Sequence, residues 1–388
     1  MLINYYSDEF ENDSHQKLNN EIAAGNEPDL LYINDYIPFL NYANKNMFVD
    51  LDTYLDKSPE LKADLLPFIT ENTRIKGQLP QLVTSFTTQT LMTKSKNMDH
   101  NLSIEKLMEI YKTLPSDVSL FNGSYRSFIY GYFLDNLIPE CVDYEKGMCD
   151  FNIPEMKCFL ELLKLVADSS AETYSIDENL GRVRADELYF LGAVIYGYDY
   201  FILYNNKPFM PDESAIVGYP TVDESKRGDW IISKGFSIFN TSNKKDGAWE
   251  FIKYCLSDEL YRNGFFSRAI LPTKSGVKFK VNEASDLGEK EYTYLNEKGF
   301  YGYVTTNDED TAILAEKHGT GMLYKTADLV NAYMSYLETL DNYVYYDSNV
   351  RSIIYDETST YMNSDKSIDD TIKAIQSRVS IYMSETWG

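Results

Sequence analysis

The stretch EIAAGNEPDLLYIND, residues 21–35, passes from one kind of secondary structure to another within a few residues. A helix-like run stops at Gly25, because glycine readily takes the left-handed conformation that ends a helix, and Pro28 stiffens the turn that follows. The next residues, LLYI at 30–33, form an unbroken apolar run, which is typical of a strand buried on both faces. The stretch therefore predicts a helix, a turn and a buried strand, with polar and aromatic groups directly after it.

Alternating helix and strand patterns continue along the chain. Amphipathic spacing and capping residues predict helices over 36–48, 103–113, 124–137, 154–168, 243–257 and 367–385. Runs rich in β-branched and aromatic residues predict strands over 79–93, 193–204 and 229–239. Because helices and strands alternate throughout, with no long linker between consecutive domains, we predict an α/β fold.

The composition argues against several kinds of partner. The 388 residues carry 36 basic and 60 acidic side chains, which gives a formal net charge of −24. Nucleic acids and anionic membranes are bound by clustered Lys and Arg, and this chain has no such cluster, so we expect neither partner. The longest apolar runs, such as FILY at 201–204, are much shorter than the ~20 residues of a membrane span.

Motifs for catalysis and metal binding are missing from the sequence. The three histidines, His15, His100 and His318, are far apart, and the four cysteines have neither C-x-x-C spacing nor a histidine at ligand spacing. No nucleophile elbow, phosphate-binding loop or zinc-protease motif occurs. We therefore predict no catalytic residue, no metal site and no cofactor. A pair of carboxylates for glycoside hydrolysis stays open, because 60 acidic residues form many pairs and no pattern selects one.

Five stretches resemble, in order, the family 1 extracellular solute-binding proteins of bacterial ABC importers. They are KLNNEIAAGNEPDLLYIND at 17–35, KNMFVDLDTYL at 45–55, GYPTVDES at 218–225, NTSNKKDGAWEFIKYCLSDELYRNGFFSRAILPTKSGV at 240–277, and KSIDDTIKAIQSRVSIYMSE at 366–385. Each stretch alone is weakly diagnostic, but their order and spacing match the family over most of the chain. Asn46 stands where the family commonly has glycine, and residues 278–345 match poorly.

The resemblance implies a two-lobed periplasmic-binding-protein fold, in which each lobe is a mixed sheet flanked by helices and hinge crossovers join the lobes. We expect an N-lobe formed by residues 1–90 and 236–275 and a C-lobe formed by residues 91–235 and 276–388. Family members normally begin with an export signal, a first strand and a first helix. Since this chain opens on what resembles the second strand, we expect the first N-lobe strand and helix to be missing or to lie upstream.

The function that the resemblance implies is solute capture without chemistry. The protein would bind a small solute, a sugar or oligosaccharide, in the cleft between its lobes and deliver it to ABC permease subunits in the membrane. It would act as a monomer outside the cell or at the cell surface of a Gram-positive bacterium, with a lipid anchor in the full-length protein. Two alternatives are a secreted carbohydrate-active enzyme and a solute-sensing module fused to an upstream domain.

The resemblance also assigns the ligand-binding positions. They are Asn34, Asp35, Tyr36, Phe86, Thr87, Thr88, Tyr125, Arg126, Tyr198, Asp199, Tyr200, Gly235, Phe236 and Arg351. These residues follow strands, lie near crossovers or open helices, where α/β sheets bind their ligands. Flat aromatic faces beside planar polar groups suit sugars, and the chain has 33 Tyr, 20 Phe and 3 Trp. Arg351 stands where relatives carry a stacking aromatic residue.

Two structural alternatives stay open at these positions. Tyr198 and Tyr200 would share one face of an alternating strand, so they could pack into a core instead of touching a ligand. Asn34 and Asp35 could cap the helix that contains Pro38. The sequence does not decide between these roles.

Overall fold

We describe a computed structural model of the chain over residues 11–32, 36–97, 102–123, 125–166, 174, 176–198, 200–201, 214–220, 228–262, 269–286, 304–306, 322–324, 327–345 and 347–387. The expected opening strand, within residues 1–10, lies outside these ranges. So do three of the predicted binding residues, Asn34, Asp35 and Asp199.

Helices and strands alternate along the described chain, and the predicted α/β class is confirmed. The α-helices are α1 (Glu11–Ala23), α2 (Tyr36–Asn44), α3 (Asp52–Leu55), α4 (Pro59–Asp64), α5 (Pro67–Glu71), α6 (Ile104–Thr113), α7 (Tyr125–Phe128), α8 (Leu134–Cys141), α9 (Pro154–Leu165), α10 (Ile176–Arg184), α11 (Lys245–Cys255), α12 (Asp258–Arg262), α13 (Lys274–Asp286), α14 (Ala327–Glu338), α15 (Ser348–Met362) and α16 (Ile368–Trp387). The strands are β1 (Leu30–Tyr32), β2 (Leu82–Lys94), β3 (Ser119–Phe121), β4 (Val142–Asp143), β5 (Met148–Cys149), β6 (Leu188–Ile195), β7 (Ser214–Ile216), β8 (Gly228–Ile238), β9 (Val304–Thr306), β10 (Met322–Tyr324) and β11 (Leu340–Tyr343). A π-helix, Ile129–Phe133, joins α7 to α8. Within the described residues, every helix is too short or too polar to span a membrane.

One seven-stranded sheet runs through the molecule in the order β1-β8-β2-β6-β3, with β11 added on β8 and β7 added on β2. Its two longest strands, β2 and β8, lie side by side and antiparallel. At one end of this pair β8 binds β1, and at the other end β2 binds β6 and β7. These pairs are antiparallel, whereas β3 runs parallel to β6 and β11 runs parallel to β8, so the sheet is mixed.

Burial changes along β8 in a way that marks the centre of the sheet. Residues 228–230 and 237–238 are buried, whereas residues 231–234 are only half-buried. Two apolar clusters pack against the strand pair. One packs Phe86 and Trp230 together at 5.9 Å between ring centres, and another places Trp249 of α11 beside Ile238. These two packed regions both include residues of β2 and β8, whereas residues 231–234 of β8 are only half-buried.

Backbone conformation explains two of the features read from the sequence. Gly25 has a φ of +76°, so it ends α1 in the left-handed conformation as predicted. Asn46, which replaces the glycine common in the family, has a φ of +54°. Asparagine is among the few other residues that tolerate this conformation, so the turn after α2 is kept.

Most predicted elements are confirmed with somewhat different ends, but the strand predicted over 193–204 is confirmed only to Ile195 and is wrong for the described residues 196–198, 200 and 201. β6 ends at Ile195, and residues 198, 200 and 201 are helical, with the Phe201 amide donating to the Gly197 carbonyl at 3.1 Å. Gly197 adds no side chain to strand packing, and a short aromatic run fits a helical turn as well as a strand. Tyr198 and Tyr200 therefore do not alternate along a strand.

All three predicted divisions between the lobes fall inside a strand or a helix. The divisions at 90/91 and 235/236 fall inside β2 and β8, the two strands that the packed regions share. The division at 275/276 falls inside α13, which packs through Val277 and Val281 in the same cluster as Val83. The residue bounds of the lobes stay a prediction.

Candidate functional site

Five half-buried or exposed residues lie in a row across the middle of the sheet, and we call them the central row. They are Tyr196, Thr87, Ile231, Ser233 and Tyr32. Register places them: Ile195, just before Tyr196, pairs with Thr88, and Thr87 pairs with Ile231. The Tyr32 hydroxyl donates to the Ser233 carbonyl at 3.5 Å. The row combines aromatic side chains with hydroxyl groups at the part of β8 that is only half-buried.

The two tyrosines of the central row are among the exposed large hydrophobic side chains of the described structure. Tyr32 at the end of β1 is 46% exposed and lies 5.6 Å from Phe236 between ring centres. Tyr196 after β6 is 37% exposed and meets Tyr200 edge to face at 5.2 Å. Each ring is braced by a second aromatic ring, so each can offer an open face to a ligand without losing its position.

A continuous helical segment, residues 125–141, passes over the sheet beside the central row, and we call it the crossing helix. It consists of α7, the π-helix and α8. Near its start the Phe128 ring covers Gly192 of β6, where an added Cβ atom would lie 2.5 Å from the ring. Near its end Asn136 donates to the Asp229 carboxylate of β8 at 2.9 Å. The crossing helix therefore spans from β6 to β8 and forms a wall along the central row.

The Asp229 carboxylate is buried, and both of its oxygens are bound. Asn136 Nδ2 donates to one oxygen, and Asn342 Nδ2 of β11 donates to the other at 2.7 Å. Asn342 also donates to Asn136 Oδ1 at 2.7 Å. A buried charge is stable only when such donors replace water, so this group ties α8, β8 and β11 together next to the central row.

Arg351 does not lie free for stacking or ligand contact. Its guanidinium binds both oxygens of Asp135 at 2.6 and 2.7 Å, and it donates to the Tyr130 carbonyl at 2.9 Å. Burial raises the pKa of Asp135 to about 6, and the nearby Arg351 acts in the opposite direction. Since the exposed fractions of the two side chains are only 19% and 13%, this placement argues against the predicted direct contact between Arg351 and a solute.

Four other predicted residues are packed inside the protein. Phe86 is fully buried against Phe68 and Trp230, and Thr88 is fully buried with its hydroxyl 2.6 Å from that of Tyr336. Gly235 is buried, and a Cβ atom there would lie 2.6 Å from the Gln81 side chain.

Tyr198 is the fourth. It packs 5.3 Å from Tyr333, and burial raises its pKa to about 12. The core alternative, left open for Tyr198 by the sequence, is the one that the structure favours.

The remaining predicted residues stay nearer to the surface. Thr87 belongs to the central row, and Tyr200 and Phe236 brace its two tyrosines. Tyr125 and Arg126 are half-buried in the first turn of the crossing helix, where the Tyr125 hydroxyl accepts from the Leu120 amide at 2.8 Å.

Tyr36 is the first residue of α2. Sequence reasoning missed Tyr32 and Tyr196. Tyr32 lies within the apolar run LLYI, so the sequence indicated a buried residue. Gly197 could have indicated the end of the strand, which would have placed Tyr196 at the strand end.

Metal and thiol chemistry has no visible site in the described part of the chain. Among those residues, no group of three or more His, Cys, Asp and Glu side chains is placed to hold a metal ion. The four cysteines are free thiols, and burial raises the pKa of Cys255 to about 11. What the site offers is hydrogen bonding and aromatic contact.

Comparison with known proteins gives a family and a fold. The model of the family described as "Bacterial extracellular solute-binding protein" matches residues 3–285. Among curated proteins, no sequence matches the chain.

Three solved structures are similar over nearly the whole length. The sugar-binding protein MalE from Xanthomonas citri has 14% identity and a TM-score of 0.56, with 96% of this chain and 88% of that chain covered. A periplasmic oligogalacturonide binding protein from Yersinia enterocolitica has 13% identity and a TM-score of 0.56, with 96% and 89% covered. A cyclic alpha-maltosyl-1,6-maltose binding protein from Arthrobacter globiformis has 13% identity and a TM-score of 0.52, with 95% and 88% covered. These likenesses establish the two-lobed periplasmic-binding-protein fold.

Proposed function

The chain belongs to the family of bacterial extracellular solute-binding proteins, and we propose that it captures a sugar or oligosaccharide between its two lobes. The observation that carries this proposal is the central row, where two braced tyrosines and two hydroxyl side chains lie at the half-buried part of β8. Sugars present flat apolar faces and hydroxyl groups together, so they fit such a surface. The similar structures from Xanthomonas citri and Yersinia enterocolitica are named for sugar and oligogalacturonide binding.

In this proposal the solute lies on the central row and against the crossing helix. Tyr196 and Tyr32 stack on sugar faces, while Thr87 and Ser233 offer hydroxyl groups for hydrogen bonds. Arg126 in the first turn of the crossing helix adds a cationic donor near the sheet. Asn34, Asp35, Tyr36 and Asp199 stay proposed contacts, because they are close in the sequence to Tyr32 and to Tyr200, which braces Tyr196.

The protein would bind its solute and change it in no way. Closure of the two lobes around the solute would stabilise the closed state by the contacts made only there. The bound solute would then pass to permease subunits of an ABC importer in the membrane. The protein would do this as a monomer outside the cell, held there by a lipid anchor in the full-length protein.

A thermal-shift screen tests the proposed solute class. The panel contains monosaccharides, maltose-type and galacturonide-type oligosaccharides, amino acids and short peptides. A solute at 100 times its dissociation constant stabilises the folded state by about 2.7 kcal/mol, which is readily measured. We expect at least one saccharide to raise the melting temperature, whereas a response to peptides alone would rule out the carbohydrate proposal.

A pair of tyrosine variants tests the proposed site. Tyr196→Ala should abolish or strongly reduce the shift given by the active saccharide. Tyr254→Ala is the matched control, because Tyr254 on α11 is 39% exposed and lies outside the central row. Equal responses of the two variants would move the site away from the row. Chromatography of the saccharide after long incubation with the protein checks the absence of turnover.

A further inference from the structure

The crossing helix contains a rare element in its middle, the π-helix Ile129–Phe133. The Leu134 amide reaches back to the Ile129 carbonyl, five residues earlier, instead of four as in an α-helix. The wider turn interrupts the regular pairing of amides with carbonyls four residues earlier, so a side chain from a neighbouring element can bind a carbonyl there. Such segments frequently occur at functional sites.

Arg351 of α15 is such a side chain. One nitrogen of its guanidinium, Nη2, donates to the Tyr130 carbonyl within the π-helix at 2.9 Å. Another, Nη1, binds both carboxylate oxygens of Asp135, one turn further along. The Tyr130 hydroxyl makes a second link to α15, at 2.5 Å from the hydroxyl of Thr358. The planar guanidinium thus holds two successive turns of the crossing helix at once, which a single ammonium group cannot do in the same way.

The ends of the crossing helix are fixed by other contacts. Phe128 stacks on Phe121 at 4.4 Å and fills the space above Gly192. Asn136 is held by the buried Asp229 carboxylate of β8. Both ends therefore rest on the sheet, and Arg351 holds the part between them. The path of the crossing helix next to the central row therefore depends on the contacts of Phe128, Asn136 and Arg351.

We propose that Arg351 is a positioning residue that maintains the π-helix and thereby sets the distance between the crossing helix and the central row. This inference rests on the proposed function, since it concerns how the same site accepts its solute. It differs from the role predicted from the sequence, in which Arg351 touches the solute itself. The solute contacts would instead come from the row and from the helix that Arg351 holds.

The test compares Arg351→Lys with Arg378→Lys. Arg378 of α16 also pairs with two carboxylates, those of Glu357 and Asp356, but it is 43% exposed and contacts neither the π-helix nor Asp135 in the described structure. Hydrogen exchange followed by mass spectrometry reports on the amides of residues 129–134 in the protein without solute. We expect Arg351→Lys to raise their exchange rate about tenfold and Arg378→Lys to leave it unchanged.

Titration with the saccharide that stabilises the wild-type protein gives the second readout. We expect Arg351→Lys to weaken its binding about tenfold, while Arg378→Lys binds as the wild type does. Weaker binding without a change in exchange would overturn the inference in favour of direct contact. Faster exchange without weaker binding would overturn the link between the helix and the site. If the wild type binds no saccharide, the proposed function fails, and the exchange experiment still decides whether Arg351 maintains the π-helix.

Discussion

Replacing Gly228 with alanine should destabilise the protein where β11 joins β8. Gly228 pairs with Leu340, and a Cβ atom at residue 228 would lie 2.4 Å from the Thr339 carbonyl oxygen and 2.6 Å from the Leu340 Cα atom. Both are backbone atoms, so no side-chain rotation can relieve the overlap. The φ of Gly228 is not in the left-handed region, and the cost is therefore one of space alone.

The expected loss of stability has two sources, the displacement of β11 and the strain on a hydrogen bond that β11 makes. Heavy atoms rest about 3.5 Å or more apart, so β11 has to retreat by roughly 1 Å. Overpacking of this kind costs about 1–3 kcal/mol. The movement also strains the 2.7 Å bond from Asn342 to the buried Asp229 carboxylate, and bonds to charged groups contribute about 1.5–3 kcal/mol. Because the two effects overlap, we expect a loss of about 3 kcal/mol in the free energy of unfolding.

Urea unfolding followed by far-ultraviolet circular dichroism measures this loss. Gly247→Ala is the matched control, since nothing lies within 4 Å of an added Cβ atom at that position in α11. In a helix interior alanine is preferred to glycine by about 0.5–1 kcal/mol, so the control should unfold at a higher urea concentration. If Gly228→Ala unfolds within experimental error of the wild type, the close approach of β11 to β8 is refuted.

Three further predictions use the same protein. Thr88→Val should lower the free energy of unfolding by about 1–3 kcal/mol in urea, because the buried Tyr336 hydroxyl loses its partner. Asp135→Asn should change the pH dependence of stability. The pKa of Asp135, raised to about 6, means that the folded protein takes up this proton more readily than the unfolded chain, so the group's contribution to stability falls as pH rises from about 4 to 6. The wild type should therefore lose stability relative to the variant across that range, as urea midpoints at each pH would show. With a maleimide reagent at neutral pH, the partly exposed Cys149 should react well before Cys255, whose thiol is buried with a pKa of about 11, as peptide mapping would show.

Local signals in the sequence were enough to predict most elements of the fold. The α11 and α16 helices follow from an apolar face at helical spacing, and Ser367 caps α16 by accepting the Asp370 amide at 3.1 Å. The turn at Gly25 follows from a conformation that glycine adopts at little cost. These features depend on neighbours within a few residues, so a single sequence contains the information.

The site was harder to predict, because its residues are assembled by strand register. Nothing near Thr87 in the sequence shows that Thr88 and not Thr87 faces the buried Tyr336. A shift of one residue in pairing moves every side chain of a strand to the opposite face. The core position of Tyr198 likewise depends on Tyr333, far away in the chain. Alternation predicts which residues share a face, but it does not predict which face is covered.

The contacts of Arg351 bear on where the proposed solute would bind. The resemblance places a stacking aromatic residue at this position in relatives, whereas here the side chain is bound to Asp135 and to the π-helix. An arginine held in this way cannot also stack freely on a sugar, so the aromatic faces have to come from elsewhere. Tyr196 and Tyr32, each braced by a neighbouring ring, lie on the sheet below and meet this need. The fold is shared with the solved relatives at 13–14% identity. Likeness at this level of identity concerns the fold alone, so we propose that the central row selects the solute.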